Sequence, residues 1–177
     1  MKHFFISLLI LPIFVACSSL PNYELSDWNL LIDPNFNQKE IVDFYTKKVA
    51  KVEEASEQEA KIYAQMQEAL KKAGNNKDVE GKNVMLEGYL VPIDTDGRRV
   101  NIFLFFPSQA ACLHVPASPA NQTIFVQTKK DEGVLLEDAY EQIKVYGVLK
   151  LKETKVATGT ASYTIDDAIT RVVPMLN

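Results

Sequence analysis

The chain has 177 residues, with 19 Lys and Arg against 23 Asp and Glu, for a net charge of −4. Its only basic groups are short ones such as Lys71-Lys72 and Lys129-Lys130. A nucleic-acid binder needs a concentrated positive field, and none is present. The sequence also has no P-loop, Rossmann glycine fingerprint, H-E-x-x-H or G-x-S-x-G, so phosphotransfer, dinucleotide chemistry, zincin proteolysis and ordinary serine hydrolysis lack their usual marks.

Residues 1–16 read as an export signal. Lys2 and His3 form a short positive region, FFISLLILPIFV (Phe4 to Val15) is an apolar run, and the small residue Ala16 precedes Cys17. The run is too short to cross about 30 Å of hydrocarbon comfortably. F-V-A-C resembles the bacterial lipobox, L-x-[AGS]-C, with Phe14 where Leu is commoner. In a lipobox the cysteine is acylated, palmitate being a typical chain, and becomes the first mature residue. Several acyl chains hold a protein at a membrane nearly permanently, at about 0.8 kcal/mol per buried methylene. An ordinary secretory signal or an uncleaved anchor are the alternatives. Ser18 and Ser19 follow with no aspartate at the second mature position, which favours the outer membrane in Gram-negative lipoproteins. The expectation is a lipid anchor at Cys17 and a periplasm-facing protein.

Without the leader about 160 residues remain, enough for one domain with a core. Loss of Lys2 takes the net charge to about −5. Residues 17–36 form a tether and docking segment, with Pro21, Pro34 and the apolar group Trp28, Leu30, Leu31 and Ile32. A lone Trp in such a group is more often a packing anchor than a ligand platform. Residues 37–76 read as a long amphipathic helix over 38–73, opened by an Asn37/Glu40 capping box and stopped at Gly74-Asn75-Asn76. Ile41, Tyr45, Val49 and Val52, then Ile62, Met66, Leu70 and Ala73, fall on one face, and Glu57/Lys61 and Glu68/Lys72 form i,i+4 pairs. EEASEQE (Glu53 to Glu59) has little to bury, so the helix is expected to bend, break or stand in solvent there. Unbroken, it would reach roughly 54 Å. It either binds a partner or folds back on its own domain.

From residue 82 the period changes to two. Val84, Leu86, Gly88 and Leu90 share a face, Pro92 is expected to end the strand, and Asp94 to Gly97 supply a turn. Val100, Ile102, Leu104 and Phe106 are expected on one face of the next strand, opposite Asn101, Phe103 and Phe105. TIFVQT (Thr123 to Thr128) is a third strand, and LLEDAYEQ holds a helical turn. Ile143 to Lys152 alternates cleanly, and Ser162 to Val173 is a last strand. Gly88 and Gly147 sit at strand centres, which suits tight bends in a small closed barrel. The expected fold is α+β and mainly β: a small OB-like Greek-key barrel over 82–177, behind the helix, with a generic β-sandwich as the fallback.

Cys112 and His114 are the only soft or imidazole groups of the mature chain. If Cys17 is acylated, Cys112 has no intramolecular disulfide partner. On extended backbone the two side chains point the same way, with Cβ atoms about 7 Å apart, and could converge on one ion, zinc or copper by ligand softness. Two ligands are too few; a third would come from Asp94, Asp96, Asp166, Asp167, water or a second copy of the chain. Alternatively Cys112 packs as a small hydrophobe while His114 bonds the proline-rich loop, or the thiol has a redox or nucleophilic use.

Ala111-Cys112-Leu113-His114-Val115-Pro116, with Pro119, Asn121 and Gln122 after it, resembles the hallmark A-C-[IL]-H-V-P-P-P-P-x-N-Q of a bacterial family of unknown function. Trp28-x-x-Leu31-x-x-Pro34 resembles that family's W-x-x-L-x-P entry. The similarity runs from about residue 28 to the end. The family's proline run is reduced here to Pro116 and Pro119, which implies a less rigid loop. Its members are mostly exported proteins or lipoproteins, often encoded beside ABC-type transport components, some linked to metal supply. The resemblance therefore implies location, fold type and a class of partner, and no established activity. The combined reading is a non-enzymatic accessory binding module facing the periplasm, with Cys112 and His114 as the metal or partner site. A thiol-dependent enzyme using Cys112 and a purely structural envelope scaffold are the alternatives.

Overall fold

The computed structural model describes residues 23–108 and 118–174. Residue Cys17 and the segment holding Cys112, His114 and Pro116 lie outside them. Among the described residues no helix is long and apolar enough to cross a membrane.

The expected single long helix is two. α1 (Gln38–Val49) starts where the Asn37 side chain accepts from Glu40 N at 3.2 Å, and α2 (Glu57–Leu70) starts at Ser56, whose hydroxyl accepts from Glu59 N at 3.1 Å. Glu59 reaches back to accept from Ala55 N at 2.6 Å, one residue before the N-cap, closing a variant of the capping box inside the stretch EEASEQE. Ala55 stands at φ 58, a left-handed residue that no continuous helix contains. A competing start signal, with no apolar side chains to hold the helix together, therefore divides it. The two helices pack on each other, and Ile62 of α2 is buried, while α1 buries no residue. Glu57–Lys61 forms at 2.8 Å as expected, but Glu68 takes Lys71 at 2.5 Å instead of Lys72.

Seven strands follow the alternating pattern: β1 (Glu24–Leu25), β2 (Asn83–Thr95), β3 (Arg99–Phe106), β4 (Ile124–Thr128), β5 (Val134–Leu135), β6 (Ile143–Val156) and β7 (Gly159–Val172). β2 pairs antiparallel with both β3 and β6, β6 with β7, and β3 with β4, while β4 and β7 pair in parallel. Those five strands close into a ring. β1 adds in parallel to the start of β2, and β5 adds to the start of β3. The molecule is α+β and mainly β.

The alternation places Leu86, Leu90, Ile124, Val145, Leu149, Tyr163 and Ile165 in one buried core. β3 departs from its expected phase. Val100 shares that core with Phe103 and Phe105, while Leu104 and Phe106 join Ala161 in a second cluster, so both faces of its far half are buried. The cause lies in the pairing with β2, which slips between Pro92 and Asp94 and again between Asp94 and Thr95. Each one-residue slip moves side chains to the other face. The same irregularity lets β2 run through Pro92 to Thr95, although proline lacks an N–H to pair. The turn falls at Asp96, whose Oδ1 accepts from Arg99 N at 2.7 Å and Arg98 N at 3.0 Å and is held below the usual carboxylate range by those bonds. Gly97 follows at φ 87.

Gly88 and Gly147 have ordinary negative φ; what they supply is close approach. A Cβ at Gly88 would run into the Phe106 carbonyl oxygen and the Phe105 ring, and one at Gly147 into the Ile165 Cγ2 methyl. The expected helical turn around LLEDAYEQ is a single 3-10 turn, Leu136–Asp138.

Candidate binding cleft

The entry segment is fixed to the ring by side-chain amides and one phenol. Residues Trp28–Leu31 form a 3-10 turn capped by Asp27, with Leu31 fully buried. Trp28 lays its ring 5.1 Å from that of Phe105, centroid to centroid, and its Nε1 donates to Glu87 O at 2.7 Å. It is a packing anchor. Gln122 Nε2 donates to Trp28 O at 2.9 Å, and Asn76 Nδ2 to Leu30 O at 2.8 Å. Asn121 Nδ2 donates to Ala73 O at 2.9 Å, tying the end of the helical segment to the 3-10 turn Ala120–Gln122. At the centre the Tyr163 hydroxyl donates to Leu31 O at 2.5 Å, with Asn76 O at 3.2 Å. Burial pushes that phenol up to about 12, so it stays a donor.

A cleft of about 170 Å³ opens where these pieces meet. Ile32, Phe36, Leu70, Ala73, Pro107 and Pro119 give it apolar walls. Gln38, Gln67, Ser108, Ser118, Asn121 and Gln122 give it hydrogen-bonding groups. No charged side chain lines it among the described residues. Ser108 and Ser118, the described residues on either side of 109–117, both line it. Asn121 is 5 % exposed, and its Oδ1 has no hydrogen-bond partner among the described residues; Gln67 Oε1 is likewise buried and unpartnered.

Of the residues singled out from the sequence, Pro119, Asn121 and Gln122 come together at this cleft. The carboxamides of Asn121 and Gln122 hold backbone carbonyls of other segments, and Pro119 precedes their turn and accepts from Thr123 Oγ1 at 3.0 Å. The four aspartates considered as third metal ligands do not join them. Asp94, opposite Ile102, and Asp96, beside Arg99, lie about 17 Å and about 26 Å along β3 from Pro107. Asp166 pairs with Lys150 at 2.8 Å, and Asp167 follows it on β7 at φ 53. No group of three His, Cys, Asp or Glu that could hold an ion occurs among the described residues. The cleft's amides and hydroxyls therefore do not fit a transition metal.

Three residues of this arrangement went unread in the sequence. Gln67 looked like a solvated helix position, because only its neighbours Met66 and Leu70 belong to the apolar stripe. Tyr163 looked like one strand residue among many, and Asn76 like part of a helix stop. Each gains its role from a segment more than forty positions away, which periodicity does not report.

The fold is similar to that of a DUF3299 family protein from Pseudomonas aeruginosa PAO1 whose crystal structure has been solved. The two are 21% identical with a TM-score of 0.62, and the match covers 89% of this chain and 100% of that one. No curated protein matches the sequence. Residues 28–171, from the Trp28 anchor through β7, match the family described as "Protein of unknown function (DUF3299)". The chain belongs to the DUF3299 family.

Proposed function

We propose that the protein is a lipid-anchored, periplasm-facing lipoprotein of a Gram-negative envelope, acting as a non-enzymatic accessory binding module beside an ABC-type transport system. The observation that carries the binding reading is the cleft, with two buried amide oxygens of its lining residues left without donors among the described residues. Natural structures rarely leave such atoms unpaired, because each costs about 1–3 kcal/mol. Amides and hydroxyls between apolar walls suit recognition better than bond-making. The anchor reading rests on the lipobox-like F-V-A-C and is supported by position: only five residues lie between Cys17 and Tyr23, so at most about 20 Å of chain joins them. Tyr23 already packs on Tyr146, with ring centroids 5.6 Å apart, so the folded part begins close behind the acylated residue. We read the ring as an OB-type Greek-key barrel; its strand order and the parallel closing pair β4–β7 support this.

A metal-handling form of this function rests on Cys112 and His114 alone and asks for a third donor from a partner or a second copy. Two measurements on the full-length protein divide the reading. Labelled palmitate should enter the wild type and not Cys17→Ser; equal labelling of both would remove the anchor. Calorimetric titration with zinc and copper(I) decides the metal: tight binding lost in both Cys112→Ser and His114→Ala makes this a metal-handling lipoprotein. No heat removes metal from the function and leaves the cleft as its ligand site.

A further inference from the structure

The outward face of the sheet beside the entry segment carries side chains that the cleft does not use. On β6 the residues alternating with the buried Ile143, Val145, Gly147 and Leu149 are Lys144, Tyr146, Val148, Lys150 and Lys152. Met85 and Glu87 of β2 stand opposite Tyr146 and Lys144 in the ladder and share that face. Val148 is 38 % exposed. Two of the lysines are matched, Lys144 by Glu87 at 3.1 Å and Lys150 by Asp166 at 2.8 Å. The chain enters the fold on this same face. β1 is held parallel to the start of β2, with Ser26 N donating to Met85 O at 2.9 Å, and the Tyr23 ring meets that of Tyr146 edge-on, centroids 5.6 Å apart. Five residues lie between Tyr23 and Cys17, so at most about 20 Å of chain joins this face to the residue that carries the proposed anchor.

We propose that this face is where the protein meets the membrane: Tyr23, Met85, Tyr146 and Val148 sit in the lipid headgroup layer beside the acylated Cys17, and Lys144, Lys150 and Lys152 lie along it with their charged ends toward water. Tyrosine suits that layer because its ring is apolar and its hydroxyl polar, and a lysine stem rests on lipid while its charge stays hydrated. Size decides between a membrane and a protein as the occupant. A stable protein interface takes roughly 20–30 residues a side, far more than this group offers. A tether of at most about 20 Å keeps lipid at a high effective concentration, so a few side chains suffice to hold one face down. The inference rests on the lipid-anchor reading and is independent of the cleft and of metal.

The probe is a lipid brominated at the headgroup end of its chains, which quenches tryptophan on contact. Full-length protein carrying Val148→Trp is placed in vesicles of phosphatidylethanolamine and phosphatidylglycerol. Beside it stand the wild type, whose only tryptophan is Trp28, and Arg98→Trp, at the exposed turn between β2 and β3. Brominated vesicles should remove at least half of the emission that Val148→Trp adds and leave that of Arg98→Trp unchanged. Lys152→Trp, exposed on the same face, is the second reporter and should be quenched as well. Palmitate uptake is measured on the same preparations. Acylated protein in which neither reporter is quenched overturns the inference and leaves the anchor standing. Equal quenching of Arg98→Trp also overturns it, because the molecule then turns freely on its tether. Absence of palmitate removes the anchor and this inference together. Dimers of Cys17→Ser protein that Val148→Asp breaks would give the face to a second copy of the chain, which overturns it too.

Discussion

Gly88→Ala is expected to lower the unfolding free energy by about 3 kcal/mol, the upper end of what an inserted core methyl costs. The new Cβ would occupy the space of the Phe106 carbonyl oxygen, with the Phe105 ring 3.0 Å away on the other side. Phe106 is paired to Tyr89 in the β2–β3 ladder, so its backbone cannot withdraw without breaking that pairing. Gly147→Ala meets a side-chain methyl, Ile165 Cγ2, and should cost less, although Ile165 is fully buried and has little room. Urea unfolding midpoints check both. A Gly88→Ala midpoint equal to the wild type's would mean that the strands approach less closely than described here.

Tyr163→Phe is expected to cost about 2 kcal/mol, because it leaves Leu31 O and Asn76 O short of a buried donor. The effect should concentrate where the hydroxyl works. Amides of Trp28–Leu31 and of the Gly74–Asn76 turn should exchange faster, while those of the β6–β7 ladder keep their protection. The phenol adds a pH signature. Its folded value, about 12, lies above the ordinary 10.0, so its contribution is complete below pH 10 and is lost as pH rises through about 12. Tyr163→Phe should lack that alkaline share of the stability loss. Identical alkaline profiles for the two proteins would show that the hydroxyl is not held as described.

The sheet was largely legible because strand alternation is a local property. Ile143, Val145, Leu149 and their polar neighbours on β6 fall on the faces that their sequence spacing implies. The helix cap at Asn37 was also local; the cap at Ser56, which makes one expected helix two, was overridden by the apolar stripe running on either side of it. The phase of β3 was not legible, because it depends on register slips against β2 that involve Pro92, Asp94 and Thr95 together. The roles of Gly88 and Gly147 were half legible: their central positions stood out, but the reason is a neighbour's approach rather than a bend. The candidate site divides in the same way. Asn121 and Gln122 were conspicuous beside Pro119, whereas Gln67 reaches the cleft only because the fold brings α2 to line it together with Pro107 and the Ala120–Gln122 turn. Charge patterning could not find it, since the cleft's described lining carries no charge.

If the protein holds a partner at the cleft, that contact can be trapped in cells. A photo-crosslinking amino acid placed in cells at Ser118, on the rim, tests it against one placed at Tyr140, which is 79 % exposed elsewhere on the surface. A discrete adduct to an envelope protein is expected from Ser118, none from Tyr140, with loss of the Ser118 adduct when Gln67→Met is added. An adduct from both positions alike, or a Ser118 adduct indifferent to Gln67→Met, would contradict it.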